Sequence, residues 1–374
     1  MENFLEKAAE DNIEAIEYFY AHQKEALSAI VAKGEKDGTD LPSNYSSLMR
    51  FLDDPQLAAE IMSLYESPNY QLKIGAIKAL SNFRSDEVIS FILSKLEDSQ
   101  VSYADKELFL KALLVIGEHS SAKAVKQFIT KLISVDFEDL DSLISECLDE
   151  SWMNPLEALI QAVVTLNALG DSSENELIPT LLKKPIDIDS YYEYLLVLEL
   201  CARASKKLCY TQYIEQIAEF LKKDYFTGQA DLLESLQLVG MSKAIEAIQI
   251  VTKKDNPSLH PYVASGLEKI LGDSFDIDPY AEDFVERIKT QSFQNIKDDL
   301  VYYRGIPAQV EAYLDINNLD ELMSTFEFIY GIKVPPIKAL NIDSARQEIK
   351  NQINDQQLVF EQGKVYKYGF EQNL

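Results

Sequence analysis

Residues 74–96 read Ile74-Gly75-Ala76-Ile77-Lys78-Ala79-Leu80-Ser81-Asn82-Phe83-Arg84-Ser85-Asp86-Glu87-Val88-Ile89-Ser90-Phe91-Ile92-Leu93-Ser94-Lys95-Leu96. Ile74, Ile77, Ala79, Leu80 and Phe83 fall mostly on one broad stripe of a helix, and so do Val88, Ile89, Phe91, Ile92 and Leu96. The polar stretch between the two sets reads as a short turn. The segment is therefore two amphipathic helices folded back on one another, with apolar stripes that need neighbours to cover them.

The same helix–turn–helix signature returns along the chain. It appears at Leu113-Leu114-Val115-Ile116-Gly117-Glu118-His119 and at Leu166-Asn167-Ala168-Leu169-Gly170-Asp171-Ser172. Two further copies are Leu236-Gln237-Leu238-Val239-Gly240-Met241-Ser242 and Glu268-Lys269-Ile270-Leu271-Gly272-Asp273-Ser274, with a weaker one through Leu200 to Lys206. Aligned on the turn residue, these give Arg84, Gly117, Gly170, Ala204, Gly240 and Gly272, with intervals of 33, 53, 34, 36 and 32. A period in the mid-thirties is that of a helical solenoid. Glycine suits a left-handed residue just past the first helix, and a following Ser or Asp can cap the second. Alternating strand-type runs are nearly absent and the 13 glycines are few for a sheet-rich fold. The predicted class is all-α, a right-handed α-α superhelix with a small C-terminal cap that can contain a short β-hairpin.

The long interval contains an insertion. Residues 135–150 carry seven acidic side chains and no basic one. Phe137, Leu140, Leu143, Ile144 and Leu148 keep helical spacing, which predicts one extra amphipathic helix, acidic on its outer side, followed by Trp152, the only tryptophan. This helix either fills a gap between repeats or protrudes as a contact element.

The predicted organisation is an N-terminal capping helix and loop over 1–45, helical repeats over 46–300 with the acidic insertion at 135–152, and a C-terminal repeat and cap over 301–374. Residues 3–33 read as one long helix, and 34–43 as a loop. Near the end, Leu319, Leu322, Met323, Phe326 and Ile329 run into Tyr330-Gly331, Pro335-Pro336 follow, and a helix is expected around Ser344 to Ile353. From Leu358 the pattern becomes strand-like, with glycines placed for turns.

In its units, the pattern resembles the HEAT-repeat (armadillo-type) superfamily. In the unit at 68–98, Pro68, Ala76, Ala79 and Leu80 mark the first helix, while Val88, Ile89, Ile92 and Leu96 mark the second. The resemblance covers about residues 46–275 and implies the fold, not a function. The tail is similar to the ending of a bacterial HEAT-repeat group that closes on a Phe-x-x-Gly-x-x-Tyr-x-x-Gly element, matched here by Phe360, Gly363, Tyr366 and Gly369. Some members of that group are associated with type VI secretion, a setting this similarity implies.

Charge narrows the function. The chain has 62 acidic against 35 basic side chains, a net charge of −27. A phosphate backbone or an anionic membrane needs clustered cations, so nucleic acid and membrane partners are not expected, even though some HEAT proteins bind duplex DNA. Lysine pairs at 183–184, 206–207, 222–223 and 253–254 sit near expected helix ends, where they complement the helix dipole. The excess is uneven: residues 1–200 hold 36 acids and 16 bases.

No catalytic frame is found. His22, His119 and His260 are isolated, Cys147, Cys201 and Cys209 lack metal-ligand spacing, and no phosphate loop, dinucleotide fingerprint or nucleophile elbow occurs. No cofactor and no metal are expected. The acidic N-terminus lacks a signal peptide's basic start, and the cysteines suit a reducing, cytoplasmic compartment. The candidate protein-binding residues are Asp136, Glu138, Asp139 and Asp141 in the insertion, with the aromatic clusters Tyr191, Tyr192, Tyr194 and Tyr302, Tyr303, Arg304. Consecutive tyrosines on a helix cannot all point inward, and Tyr and Arg are favoured at binding hot spots.

The expected function is a non-catalytic scaffold or adaptor that holds a protein partner on its concave face, the acidic charge suiting a basic one, with a monomer favoured. Two alternatives stay open. One is a cytoplasmic antagonist, such as an immunity protein, neutralising a basic toxin. The other is an enzyme similar to the bilin lyases, which also carry HEAT-type repeats.

Overall fold

The computed structural model describes residues 2–10, 12–37, 41–149, 154–183, 256–271, 278–290, 314–358, 366–367 and 369–371, with isolated positions 230, 233, 245, 248 and 249. The fold is an all-α solenoid of paired helices. In chain order α1 is Glu2–Ala9, α2 Ile13–Ala21, α3 Gln23–Asp37, α4 Ser43–Ser47, α5 Ala58–Ser63, α6 Tyr70–Leu80, α7 Asp86–Glu97 and α8 Tyr103–Ile116. Then come α9 Ala122–Lys131, α10 Leu140–Asp149, α11 Asn154–Ala168, α12 Leu177–Lys183, α13 His260–Leu271, α14 Phe284–Thr290, α15 Leu319–Tyr330 and α16 Ile342–Asp355. A two-stranded antiparallel hairpin, β1 Tyr366–Lys367 and β2 Phe370–Glu371, closes the chain.

Local chemistry sets the helix ends. Asn69 caps α6 by accepting from Gln71 N and Leu72 N at 3.0 and 3.1 Å. Ser85 caps α7 and Ser102 caps α8, each accepting from an amide of the first turn. Two of the predicted turn glycines are left-handed, Gly117 at φ 71° and Gly170 at φ 93°. Gly117 N donates to Leu113 O at 2.9 Å, and Asp171 N to Leu166 O at 3.1 Å, satisfying the last carbonyls of α8 and α11. Gly240, Gly272 and Ala204 lie outside the described residues.

Successive turns are tied together. Asn82, in the α6–α7 turn, donates to Arg50 O at 2.8 Å and Leu52 O at 2.9 Å in the preceding turn. Asn69 donates its buried amide to Gly34 O at 3.0 Å, joining the end of α3 to the start of α6. Gly75 makes room in α6: a Cβ there would stand 2.9 Å from Ser46 O and 2.7 Å from Met49 Sδ.

The insertion does not interrupt the stack. First helices α6, α8 and α11 pack in series, and the Thr165 hydroxyl of α11 donates to Leu110 O of α8 at 3.0 Å. The extra helix is looped out beside them. It differs from expectation in its start. Residues 132–136 continue α9 as a wide π-type turn, Glu138 takes φ 63°, and α10 begins only at Leu140, capped by Asp139 through Ser142 N at 2.8 Å. Trp152 lies outside the described residues.

The N-terminal segment also differs. It forms three helices where the apolar spacing suggested one. Asn12 caps α2 by accepting from Ala15 N at 3.0 Å, and His22, at φ −129° and ψ 46°, ends it. Phe4, Tyr18 and His22 stack in turn at 4.0 and 4.2 Å between ring centroids, which folds α1 back on α2. The expected loop from Gly34 begins later, because α3 runs on to Asp37.

One apolar cluster is continuous from Leu5 to Ile288, and the C-terminal unit has its own, built on Leu322, Phe326, Tyr330, Ile332, Ala345 and Ile349. Gly331, at φ 69°, ends α15, with Ile332 N donating to Phe326 O at 3.1 Å. Arg346 of α16 donates to the carbonyls of Leu314 and Ile316 at 2.8 and 3.0 Å. The hairpin turns at Gly369, where a Cβ would sit 2.9 Å from Tyr330 O, so only a bare glycine lets the turn lie against the end of α15. Tyr366 and Gly369 of the tail motif belong to this hairpin, while Phe360 and Gly363 lie outside the described residues. No described helix is long and apolar enough to cross a membrane.

Candidate functional site

Two places carry the features that bear on function: the acidic insertion and a cleft where the C-terminal unit meets the repeat turns. In the insertion, Phe137, Leu143, Ile144 and Cys147 are buried and fix the element to the core. Cys147 is 1% exposed, and Cys201 and Cys209 lie outside the described residues. Its four candidate carboxylates do not play one role. Asp136 accepts from the Tyr103 hydroxyl at 3.1 Å, and Asp139 caps α10. Glu138 and Asp141 are exposed. Beside them Val135 is 70% exposed, an apolar side chain held out of the core among acids. Tyr191, Tyr192, Tyr194, Tyr302, Tyr303 and Arg304 lie outside the described residues.

The cleft brings together parts distant in sequence. The Pro336–Lys338 turn packs on the Leu48–Phe51 turn, and Ile337 and Leu340 pack on the main core. Between the units is a cleft of about 290 Å³, lined from the turn side by Arg50, Asp53, Asn82, Arg84 and Val115, and from the C-terminal side by Glu327, Ile332, Lys333 and Val334 through Pro336. Asp53 is committed elsewhere: one oxygen accepts from the Tyr20 hydroxyl and the other from the Gln23 amide, both at 2.8 Å. Gln23 in turn accepts from Asp53 N and Asp54 N at 2.8 and 2.9 Å, so α2 and α3 are fastened to this turn. Burial, then the Asp53 hydrogen bond, pushes the Tyr20 hydroxyl up to about 12.

Lys333 is pushed down to about 8, first by burial and further by Arg84, with Glu327 opposing. A lysine depressed in the folded state binds fewer protons there than in the unfolded chain between about pH 8 and its ordinary 10.5, so its contribution to stability rises with pH across that window. Urea midpoints of wild type and Lys333→Met at pH 7.5 and 10 check this. The wild type gains relative to the variant at the higher pH, and a difference that does not move with pH contradicts it.

The sequence pattern does not mark the cleft. Arg84 reads there as a turn residue and Pro335-Pro336 only follow the Tyr330-Gly331 turn, while Arg50 and Lys333 belong to no repeat signature. The legible signal was the anomaly in the turn alignment, where Arg84 is the only cation among glycines and an alanine. Among the histidines, His22 Nδ1 lies 2.9 Å from Tyr18 O, and His260 is buried against Phe284 with ring centroids 4.5 Å apart. Among the described residues no group of three or more His, Cys, Asp or Glu side chains could hold a metal ion.

No family model and no curated protein matches the sequence. Among solved structures, the complex of CpcE and CpcF of phycocyanin lyase from Nostoc sp. PCC7120 is similar to this chain with a TM-score of 0.38 and 17% identity, over 70% of this chain and 91% of that chain. A similarity at that score carries no argument about activity or partners.

Proposed function

We propose that the protein is a non-catalytic binding scaffold that engages a protein partner with a basic surface through the acidic insertion. The observation that carries this reading is the combination of exposed Glu138 and Asp141 with the outward Val135 on an element whose other face is buried in the core. Opposite charge steers encounter and excludes wrong partners, and a small apolar contact then slows dissociation. A rigid support keeps the ordering cost of such a contact low. A cytoplasmic setting and the narrower role of neutralising a basic toxin belong to the same proposal.

The test is a paired affinity capture, with the wild-type chain and a Glu138→Lys, Asp141→Lys chain as baits at low salt. Neither substitution touches the helix cap at Asp139 or the Tyr103 contact at Asp136, and circular dichroism of both baits establishes that they fold alike before capture. The expected result is a defined basic protein, retained near one-to-one by the wild type and lost by the variant. Identical captured sets, or none, count against the proposal.

A further inference from the structure

Carboxylates outnumber cations by 27 in this chain, so several cations gathered around one cleft stand out. Arg50, Arg84 and Lys333 are three such cations around one cleft. Among the described residues none of them makes an ion pair. Some cations elsewhere do pair with acids, as Lys95 pairs with Glu66 at 2.8 Å and Arg287 with Asp283 at 2.9 Å. The two carboxylates that also line the cleft do not change this. Both oxygens of Asp53 are taken by Tyr20 and Gln23. Glu327 draws on Lys333 only through space.

Two of the cations are also held in place. Arg50 has its guanidinium 4.7 Å from the centroid of the Phe51 ring, and the turn that carries it is pinned by Asn82. Lys333 extends from a chain segment fixed by Gln352, which donates to Lys333 O at 2.6 Å. Its ammonium lies over the bare turn at Gly117, where an added Cβ would stand 3.6 Å away. Ile332, Val334 and the two prolines give the cleft an apolar side, so a bound charge there is partly shielded from water.

We propose that this cleft binds a small oxyanion, the phosphate or carboxylate group of a small molecule, between Arg50 and Arg84 of the repeat turns and Lys333 of the C-terminal unit. Guanidinium groups present paired donors that match either group, and a lysine adds a point charge. A volume of about 290 Å³ takes such a group with a short organic body and no larger ligand. Because the donors come from both units, the bound anion would hold the C-terminal unit on the turns. This proposal is independent of the acidic insertion, on which none of its residues lies.

The experiment is calorimetric titration of the full chain with inorganic phosphate and, separately, with succinate, at fixed ionic strength and pH 7. At least one probe is expected to bind with a Kd of about 1 mM or tighter, a free energy near −4 kcal/mol. Arg84→Gln and Lys333→Met are each expected to weaken binding by about tenfold or more, and Arg84→Lys to retain part of it. Arg84 is exposed and makes no hydrogen bond among the described residues, so Arg84→Gln keeps the wild-type thermal melt and reads binding alone. Binding of phosphate only assigns a phosphoryl ligand, of succinate only a carboxylate, and of both the shared oxyanion chemistry. Binding of neither probe below about 10 mM, or equal binding by wild type and Arg84→Gln, overturns the proposal.

Discussion

Phe109→Ala is expected to cost about 3–5 kcal/mol of unfolding free energy. Phe109 lies fully buried on α8, with its ring centroid 5.3 Å from that of Tyr65 and 6.1 Å from that of Phe91. Those partners come from the preceding repeat, so the truncation opens a cavity at the contact between units. In a solenoid each unit is stabilised by its neighbours, so weakening one contact lowers cooperativity as well as stability. Urea unfolding followed by circular dichroism checks this. The midpoint falls sharply and the transition broadens, and a shift of less than about 1 kcal/mol would place Phe109 outside the core.

Asp105→Ala is the second, at about 2–3 kcal/mol. Asp105 is buried at 4% exposure and accepts from Lys73 at 2.6 Å and from the Tyr65 hydroxyl at 3.2 Å. Burial, then the adjacent carboxylate, holds the Tyr65 hydroxyl well above its ordinary value. Removing the acid strands two polar groups in a poorly solvated place, one of them charged. Lys73 is 24% exposed and recovers some water, which keeps the loss below that of a fully buried pair. The Tyr65 ring also faces Lys73 and Lys95, at 4.7 and 4.5 Å from its centroid, so the aromatic and ionic contacts are one network. A double-mutant cycle with Lys73→Met measures the coupling, expected at about 1 kcal/mol or more. Strict additivity would show that the pair contributes nothing to joining the repeats.

The repeat unit was legible because its determinants are local. The apolar stripes at 74–83 and 88–96 sit on α6 and α7, and Gly117 and Gly170 take the left-handed conformation their position demanded. The insertion was legible from its interval and its charge. Its start was misplaced because Val135 and Phe137 keep helical spacing across a break made by the Glu138 conformation and the Asp139 cap. The N-terminal division was hidden for the same reason. Apolar spacing runs through Asn12 and His22, and only the capping bond and the ring stacking reveal the break. The cleft could not be read at all from one-dimensional pattern. Arg50, Arg84 and Lys333 meet only because residues 332–340 return to the turns of the first repeats, and that return is driven by Ile337 and Leu340, two apolar residues without a periodic context.

The proposed function requires above all that the acidic insertion act as a contact. Once the partner retained in the paired capture is purified, its association rate with the chain can be measured across ionic strength. Steering by Glu138 and Asp141 predicts a wild-type rate that falls steeply with salt while dissociation changes little, and a Glu138→Lys, Asp141→Lys rate that is slow and nearly flat. Equal association rates for the two chains at low salt would contradict the account.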